Sequence, residues 1–249
     1  MIVHLHTIVH NEIERLPFAI NYWKLCATHV FVYLMKSTND GSKEYLEQYS
    51  DFITIQEIDD NDGFNDKRNQ QIKNDVWKLS RGISDFVIIT DFDEFVYSPT
   101  FFDELKYMKE NGFTIVAPEI YNLVTYDDIV EEGIKEQLLH QQIKYGTYDM
   151  AFGKHCIFNP NEITEINYSP GAHFCHPTGK VKYYDRKNIY LFHAKYLGLN
   201  FFLKKNNTLC ERLSTTNIMC GYGIHYRWND EKKICDFKEI FNKRQLLPI

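Results

Sequence analysis

Residues 84–98 read SDFVIITDFDEFVYS. Within them Phe86, Val87, Ile88 and Ile89 make a short, continuous apolar run, the pattern of a central strand covered on both faces. Asp91, Asp93 and Glu94 follow where such a strand gives way to a loop. Carboxylates at the mouth of a buried strand are costly to desolvate unless a positive charge meets them. Ligands of open α/β sheets bind at the carboxyl ends of the strands. Two acids one residue apart can share a hard, octahedral ion whose remaining positions take phosphate oxygens and water. A solvated acidic turn is the plainer reading of a bare D-x-D; the apolar lead-in, the third acid and the flanking Phe92 and Phe95 weigh against it here.

Toward the N-terminus, strands and helices alternate. Residues 2–9, 29–35 and 52–58 read as strands. Leu16, Ile20, Trp23 and Ala27, with Pro17 near the start, have the spacing of an amphipathic helix. Asn39-Asp40-Gly41-Ser42 is a turn capping a short helix through Tyr45 and Leu46. A helix from Phe64 to Leu79 is expected to bury Phe64, Ile72, Val76 and Leu79, and to stop at Gly82. Beyond the acidic strand, 100–111 reads as a helix closed by Gly112 and 113–120 as one strand. A polar helical part is expected around 127–143. Short strands at 155–158 and 190–193 flank the turn-rich loop NYSPGAHFCHPTG, and basic helices are expected over 201–213 and 237–247. The pattern predicts an α/β protein with a wound, mostly parallel central sheet and flanking helices.

The 249 residues and 29.6 kDa suit a single domain spanning 1–249. No apolar stretch approaches the length of a membrane span. The start, MIVHLHTIVHNE, has neither a basic n-region nor a small-residue cleavage site, so the reading is of a cytoplasmic protein without a signal peptide. Six cysteines lack any C-x-x-C pair and are expected to be free thiols, mostly buried. The net charge of −6 divides unevenly, with residues 181–249 carrying +7 and the rest −13. That arrangement suits an anionic, metal-bridged ligand held between two sides of a cleft, and nothing in it marks a nucleic-acid binder.

Together these pieces resemble the GT-A class of nucleotide-sugar-dependent glycosyltransferases, in particular the family 2-like group and its relatives of the family 92 type. The matching elements are the opening strand with Asn11 and Glu12, the turn Ser37-Thr38-Asn39-Asp40-Gly41-Ser42, and the helix with Lys67-Arg68-Asn69. The segment Ile89-Thr90-Asp91-Phe92-Asp93-Glu94-Phe95 is the specific one, and Leu191-Phe192-His193-Ala194-Lys195-Tyr196 looks like the family's C-terminal histidine motif. The resemblance implies a GT-A (Rossmann-like) fold, with residues 1–100 as the nucleotide-binding half and 101–249 as the acceptor-side half. It further implies Mn²⁺ or Mg²⁺ held by Asp91, Asp93 and His193. A nucleotide-diphosphate sugar, a UDP-sugar first, would bind through Asn11, Glu12, Asp40, Arg68, Asp91 and Lys195. The acceptor implied is a glycan or glycolipid of surface polysaccharide or lipopolysaccharide synthesis.

The chain departs from the family 2 pattern at Met35 and Lys36, where an acidic pair is expected to read the base. An inverting reaction needs a carboxylate to take the acceptor's proton; Asp149, Glu162 and Glu165 are candidates, with Asp149 preferred. His173, Cys175 and His176 are too closely spaced for one structural zinc site and suit a glycine-rich lid. Ile234, Phe237, Ile240 and Phe241 with Lys233, Lys238, Lys243 and Arg244 would suit a helix lying on the inner membrane face, placing the enzyme peripherally beside a lipid-linked acceptor. Two other readings are a sugar-phosphate nucleotidyltransferase, which should open with a glycine-rich loop that residues 8–16 lack, and a non-catalytic carbohydrate- or nucleotide-binding protein.

Overall fold

The computed structural model describes residues 1–128, 137–149 and 154–249. Its main sheet is built from β1 (Val3–Val9), β2 (His29–Met35), β3 (Ile53–Ile58) and β4 (Phe86–Asp91), parallel and in the order β3-β2-β1-β4. Helix α1 (Leu16–Cys26) buries Leu16, Phe18, Ala19, Ile20, Tyr22 and Trp23, as its apolar spacing requires. Phe86, Val87 and Ile88 are fully buried, so the apolar run of β4 is covered on both faces. Helix α2 (Ser42–Glu47) follows the turn at Gly41, and α4 (Phe101–Asn111) ends on Gly112 at φ 70°, a left-handed value that favours glycine.

The architecture departs from one mostly parallel sheet. The strand expected over 113–120 divides into β6 (Ile115–Val116) and β7 (Glu119–Thr125). Pro118 between them donates no hydrogen bond and restricts Ala117. β6 stays with the main sheet through antiparallel β9 (Ile157–Phe158), whereas β7 enters a second, five-stranded sheet. That sheet contains β5 (Glu94–Tyr97), β8 (Tyr145–Tyr148), β12 (Tyr190–Leu197) and β13 (Gln245–Leu246), in the order β13-β8-β7-β12-β5. Only its β12–β7 pair is parallel. The chain therefore crosses from one sheet to the other at Phe92-Asp93, between β4 and β5.

Further expectations shift. Helix α3 (Asp66–Asp75) passes into a 3₁₀ segment over Val76–Ser80, and the tighter turn re-phases the buried face. Lys73, Trp77 and Ser80 point inward while Leu79 is 64% exposed. The last helix is α8 (Asp230–Asn242), started by the Asn229 side chain accepting from Lys232 N, rather than 237–247. Its Phe237 is fully buried against Val124, Tyr196 and Phe202, with Ile240 and Phe241 packed alongside, so the proposed membrane-facing stripe serves the core instead. Of the six free cysteines only Cys26 and Cys156 are buried. Among the described residues no helix is long and apolar enough to cross a membrane. Of the helical part expected over 127–143, the described portion holds only the short helix α5 (Leu139–Gln142), and 129–136 lie outside the described residues.

Candidate active site

The strand-end acids are fixed by the second sheet. β12 pairs antiparallel with β5, setting His193 opposite Glu94, and Ala194 N donates to Asp93 O at 2.7 Å. Arg15, at the start of α1, lies between the rings of Phe92 (5.3 Å) and Phe201 (5.4 Å) and donates to Ala194 O at 3.4 Å. It also binds Glu12 and reaches Asp93 Oδ2 at 3.4 Å. Phe201 belongs to α6 (Leu199–Glu211), whose Lys205 places its ammonium 2.6 Å from the same Asp93 oxygen. His193 Nε2 is 3.8 Å from that oxygen.

Asp91 has its own cations. Lys73 on α3 pairs with Oδ1, and Lys154 lies 2.9 Å from Oδ2 while also pairing with Glu94. The Asp91 side chain keeps 39% of its surface exposed. Desolvation there would raise its pKa, but Lys154 and Lys73 outweigh that and hold the carboxyl well below the usual range. Asp93 follows the same logic: desolvation opposes ionisation, and Lys205 with His193 and Arg15 more than reverses it. Both acids are thus ionised at neutral pH.

Asp93 Oδ2 and His193 Nε2 converge at a separation one ion can bridge, which fits a Mn²⁺ or Mg²⁺ completed by water and phosphate oxygens. Asp91 fits less directly, since each of its oxygens already holds an ammonium. Among the described residues no three His, Cys, Asp or Glu side chains are grouped to hold an ion by themselves.

At the ends of β2 and β3, on the other side of β1 from β4, lies a cavity of about 400 Å³ lined by Lys36, Ser37, Asp60, Asn61, Gly63 and Arg212. Its geometry is built by a backbone bridge: Phe64 N donates to Arg212 O at 2.6 Å and Ser214 N to Phe64 O at 3.0 Å. Gly63 is required there, because at φ 78° a Cβ would lie 2.3 Å from Arg212 O. The bridge brings Arg212 within 3.1 Å of Asp60 Oδ2 and 2.6 Å of His10 Nδ1. Ser37 donates to Asp60 through both its N–H (3.1 Å) and its hydroxyl.

The predicted site residues separate. Asp91, Asp93, His193 and Glu12 meet in one charge cluster, with Lys195 beside it. Lys195 makes no ion pair among the described residues; burial lowers its pKa, with Asp236, Asp93 and Asp149 only partly compensating. Asp149 accepts from Asn122 Nδ2 at 3.0 Å, and Asn122 stands opposite His193 across β7 and β12. Asn11 and Asp40 instead hold the loop together. Asn11 accepts from Asn39 N (2.9 Å), and Asp40 accepts from Ile13 N (2.9 Å) and Ser42 N (3.0 Å). Arg68 is turned to Asp62 and to Gly63 O (2.8 Å), on the rim of the cavity. Glu162 and Glu165 pair with the surface lysines Lys180 and Lys78. His173, from the turn-rich loop, lies among Lys154, Asp91 and Lys73 and is lowered to about 3 by burial first and Lys154 next.

Sequence reasoning missed Arg15, Lys73, Lys154, Lys205, Asp60 and Arg212. Asp60 had a signal, since it follows β3 much as Asp91 ends β4. Lys73 lies one turn before the buried Trp77, but only the re-phased helix reveals that they share a face. Lys154 and Lys205 reach the acids, and Arg212 the cavity, through tertiary contacts that no local pattern encodes.

No family model and no curated protein matches the chain. Among solved structures, S. aureus TarS 1-349 in complex with UDP-GlcNAc is similar at 11% identity over 98% of this chain and 72% of that one, with a TM-score of 0.47. S. aureus TarS 1-349 gives 10% identity, the same 98% and 71% of its own length, with a TM-score of 0.48. GalNAc-T7 with UDP, GalNAc and Mn²⁺ is similar at 11% identity over 49% of this chain and 24% of its own, with a TM-score of 0.37.

Proposed function

We propose that this chain is a glycosyltransferase that moves a sugar from a nucleotide-diphosphate sugar to a hydroxyl acceptor, on a GT-A-like frame. The observation that carries the reading is that two polar features sit at the carboxyl ends of strands in one parallel sheet. The polar cavity of about 400 Å³ at β2 and β3 is sized for a nucleoside. In this reading a diphosphate joined to that nucleoside runs past the end of β1 to the cluster of paired charges at β4.

In this reading Asp60, Ser37 and Arg212 hold the nucleoside, which accounts for recognition without acids at Met35 and Lys36. Asp93 and His193, with Asp91 beside them, would hold Mn²⁺ or Mg²⁺; when bound, such an ion supplies positive charge against the leaving diphosphate. Lys195 faces the same cleft with an ammonium that burial leaves poorly solvated, so an incoming phosphate is a favourable partner. Arg15 and Lys154 keep the acids ionised and fixed, a preorganisation that costs nothing at the moment of reaction. Asp149, oriented by Asn122, takes the acceptor hydroxyl's proton. A polysaccharide or glycolipid of the cell surface is the acceptor class we propose.

The test is a thermal-shift screen of nucleotide sugars with and without Mn²⁺, repeated on Asp93→Ala, followed by a turnover assay on any hit. A nucleotide sugar that stabilises the protein in a manner dependent on Asp93, and is then consumed, supports the reading. Absence of stabilisation by every nucleotide sugar would sink it, and stabilisation without turnover would leave a nucleotide-binding protein.

A further inference from the structure

The strand-end cluster pairs four carboxylates, Glu12, Asp91, Asp93 and Glu94, with four cations, Arg15, Lys73, Lys154 and Lys205. The paired charges already balance, and Lys195 adds a further positive charge beside them. An entering divalent cation would add two positive charges to a partly desolvated site, where uncompensated charge is costly. Something positive has to leave, or something negative has to arrive with the ion.

The four cations are not equally able to leave. Arg15 is 1% exposed, held between two aromatic rings and bonded to Glu12 and to Ala194 O. Lys73 and Lys154 are 7% and 6% exposed. Lys205 is 23% exposed, and its next carboxylate, Glu12, is 4.0 Å away and already claimed by Arg15. It sits on the same oxygen, Asp93 Oδ2, that His193 approaches. A flexible four-carbon stem at the cleft edge can swing outward without disturbing the fold.

We infer that Lys205 is the resident counter-cation of Asp93, and that a divalent ion occupies Asp93 only by displacing the Lys205 ammonium. Metal binding and the Lys205–Asp93 pair are then mutually exclusive, which sets the metal affinity of the free protein low and couples metal arrival to the Lys205 side of α6. This rests on the metal reading proposed above and adds the competing group.

The test is calorimetric titration of Mn²⁺ into the full chain, into Lys205→Met and into Lys204→Met, a neighbour that is 67% exposed and paired with Glu14. Removing the competitor should tighten Mn²⁺ binding by about tenfold, with Lys204→Met unchanged and Asp93→Asn abolishing binding in both the wild-type and Lys205→Met backgrounds. Lys205→Gln serves if Lys205→Met does not fold. Equal or weaker Mn²⁺ binding to the Lys205 variant overturns the competition while leaving the metal site standing. No Mn²⁺ binding to any form overturns both, and nucleotide-sugar stabilisation without metal would still separate that result from failure of the transferase reading.

Discussion

Lys154 Nζ stands 2.9 Å from Asp91 Oδ2 and pairs at the same time with Glu94, tying the last residue of β4 to the first of β5 across the step between the two sheets. Lys154 and Glu94 are both nearly fully buried, at 6% and 3% exposure. Replacing Lys154 by Met strands a buried carboxylate, a change worth about 3–5 kcal/mol. Urea denaturation should show that loss, and Lys154→Met combined with Glu94→Gln should recover much of it. Two losses that simply add would mean the pair carries no such coupling.

Buried neutral histidines make stability depend on pH. His6 bonds to Ser80 and Tyr33 and stacks on Phe31, and burial lowers its pKa from 6.5 to about 3, with His4 and His29 adding to the shift. His10, His140 and His225 are each lowered to about 4, by burial first. Below pH 6.5 the unfolded chain takes up protons that the native state refuses, so stability falls as the pH drops through that window. His6 alone accounts for on the order of 3 kcal/mol between pH 6.5 and 4. The lowered carboxyls of Asp91 and Asp93 add a loss of the same sign, but only further into acid. Urea midpoints measured from pH 7 to pH 4 should decline, and His6→Gln should flatten the upper part of the curve; an unchanged slope would refute the assignment.

Arg212 offers a readout separate from activity. It is bound to Asp60 and His10, and after burial it is the largest influence holding His10 at about 4. Arg212→Ala should raise the His10 pKa in an NMR titration and weaken UDP binding by about tenfold, ~1.4 kcal/mol. A change in His10 with UDP affinity untouched would keep the electrostatics and remove the nucleoside pocket.

How much of this was legible before the structure depends on the range of the interactions. β1, α1, β2, α2, β3 and β4 follow from periodicity and turn residues close in sequence, and the apolar run of β4 puts Asp91 and Asp93 at a strand end. Three things depended on distance. Pro118 marked a break but not that its two sides join different sheets. The 3₁₀ segment at Val76–Ser80 carries Trp77 onto Phe158, far along the chain. The cations reach the acids across 18, 63 and 112 residues, separations over which composition gives a charge but no address.

Lys195 should respond oppositely in stability and binding. Its ammonium is held by burial at a lowered pKa, it forms no ion pair among the described residues, and it lies 5.3 Å from the centre of the Tyr196 ring. Such a group costs the fold and is worth keeping only if a ligand uses it. Lys195→Met preserves the length of the stem and removes the charge, so the melting temperature should rise while affinity for a nucleotide diphosphate falls by about tenfold or more. Differential scanning calorimetry and UDP titration on the same preparation measure the two effects. A variant that is less stable and binds UDP as well as the parent would show that Lys195 is a structural residue, and would remove it from the proposed donor site.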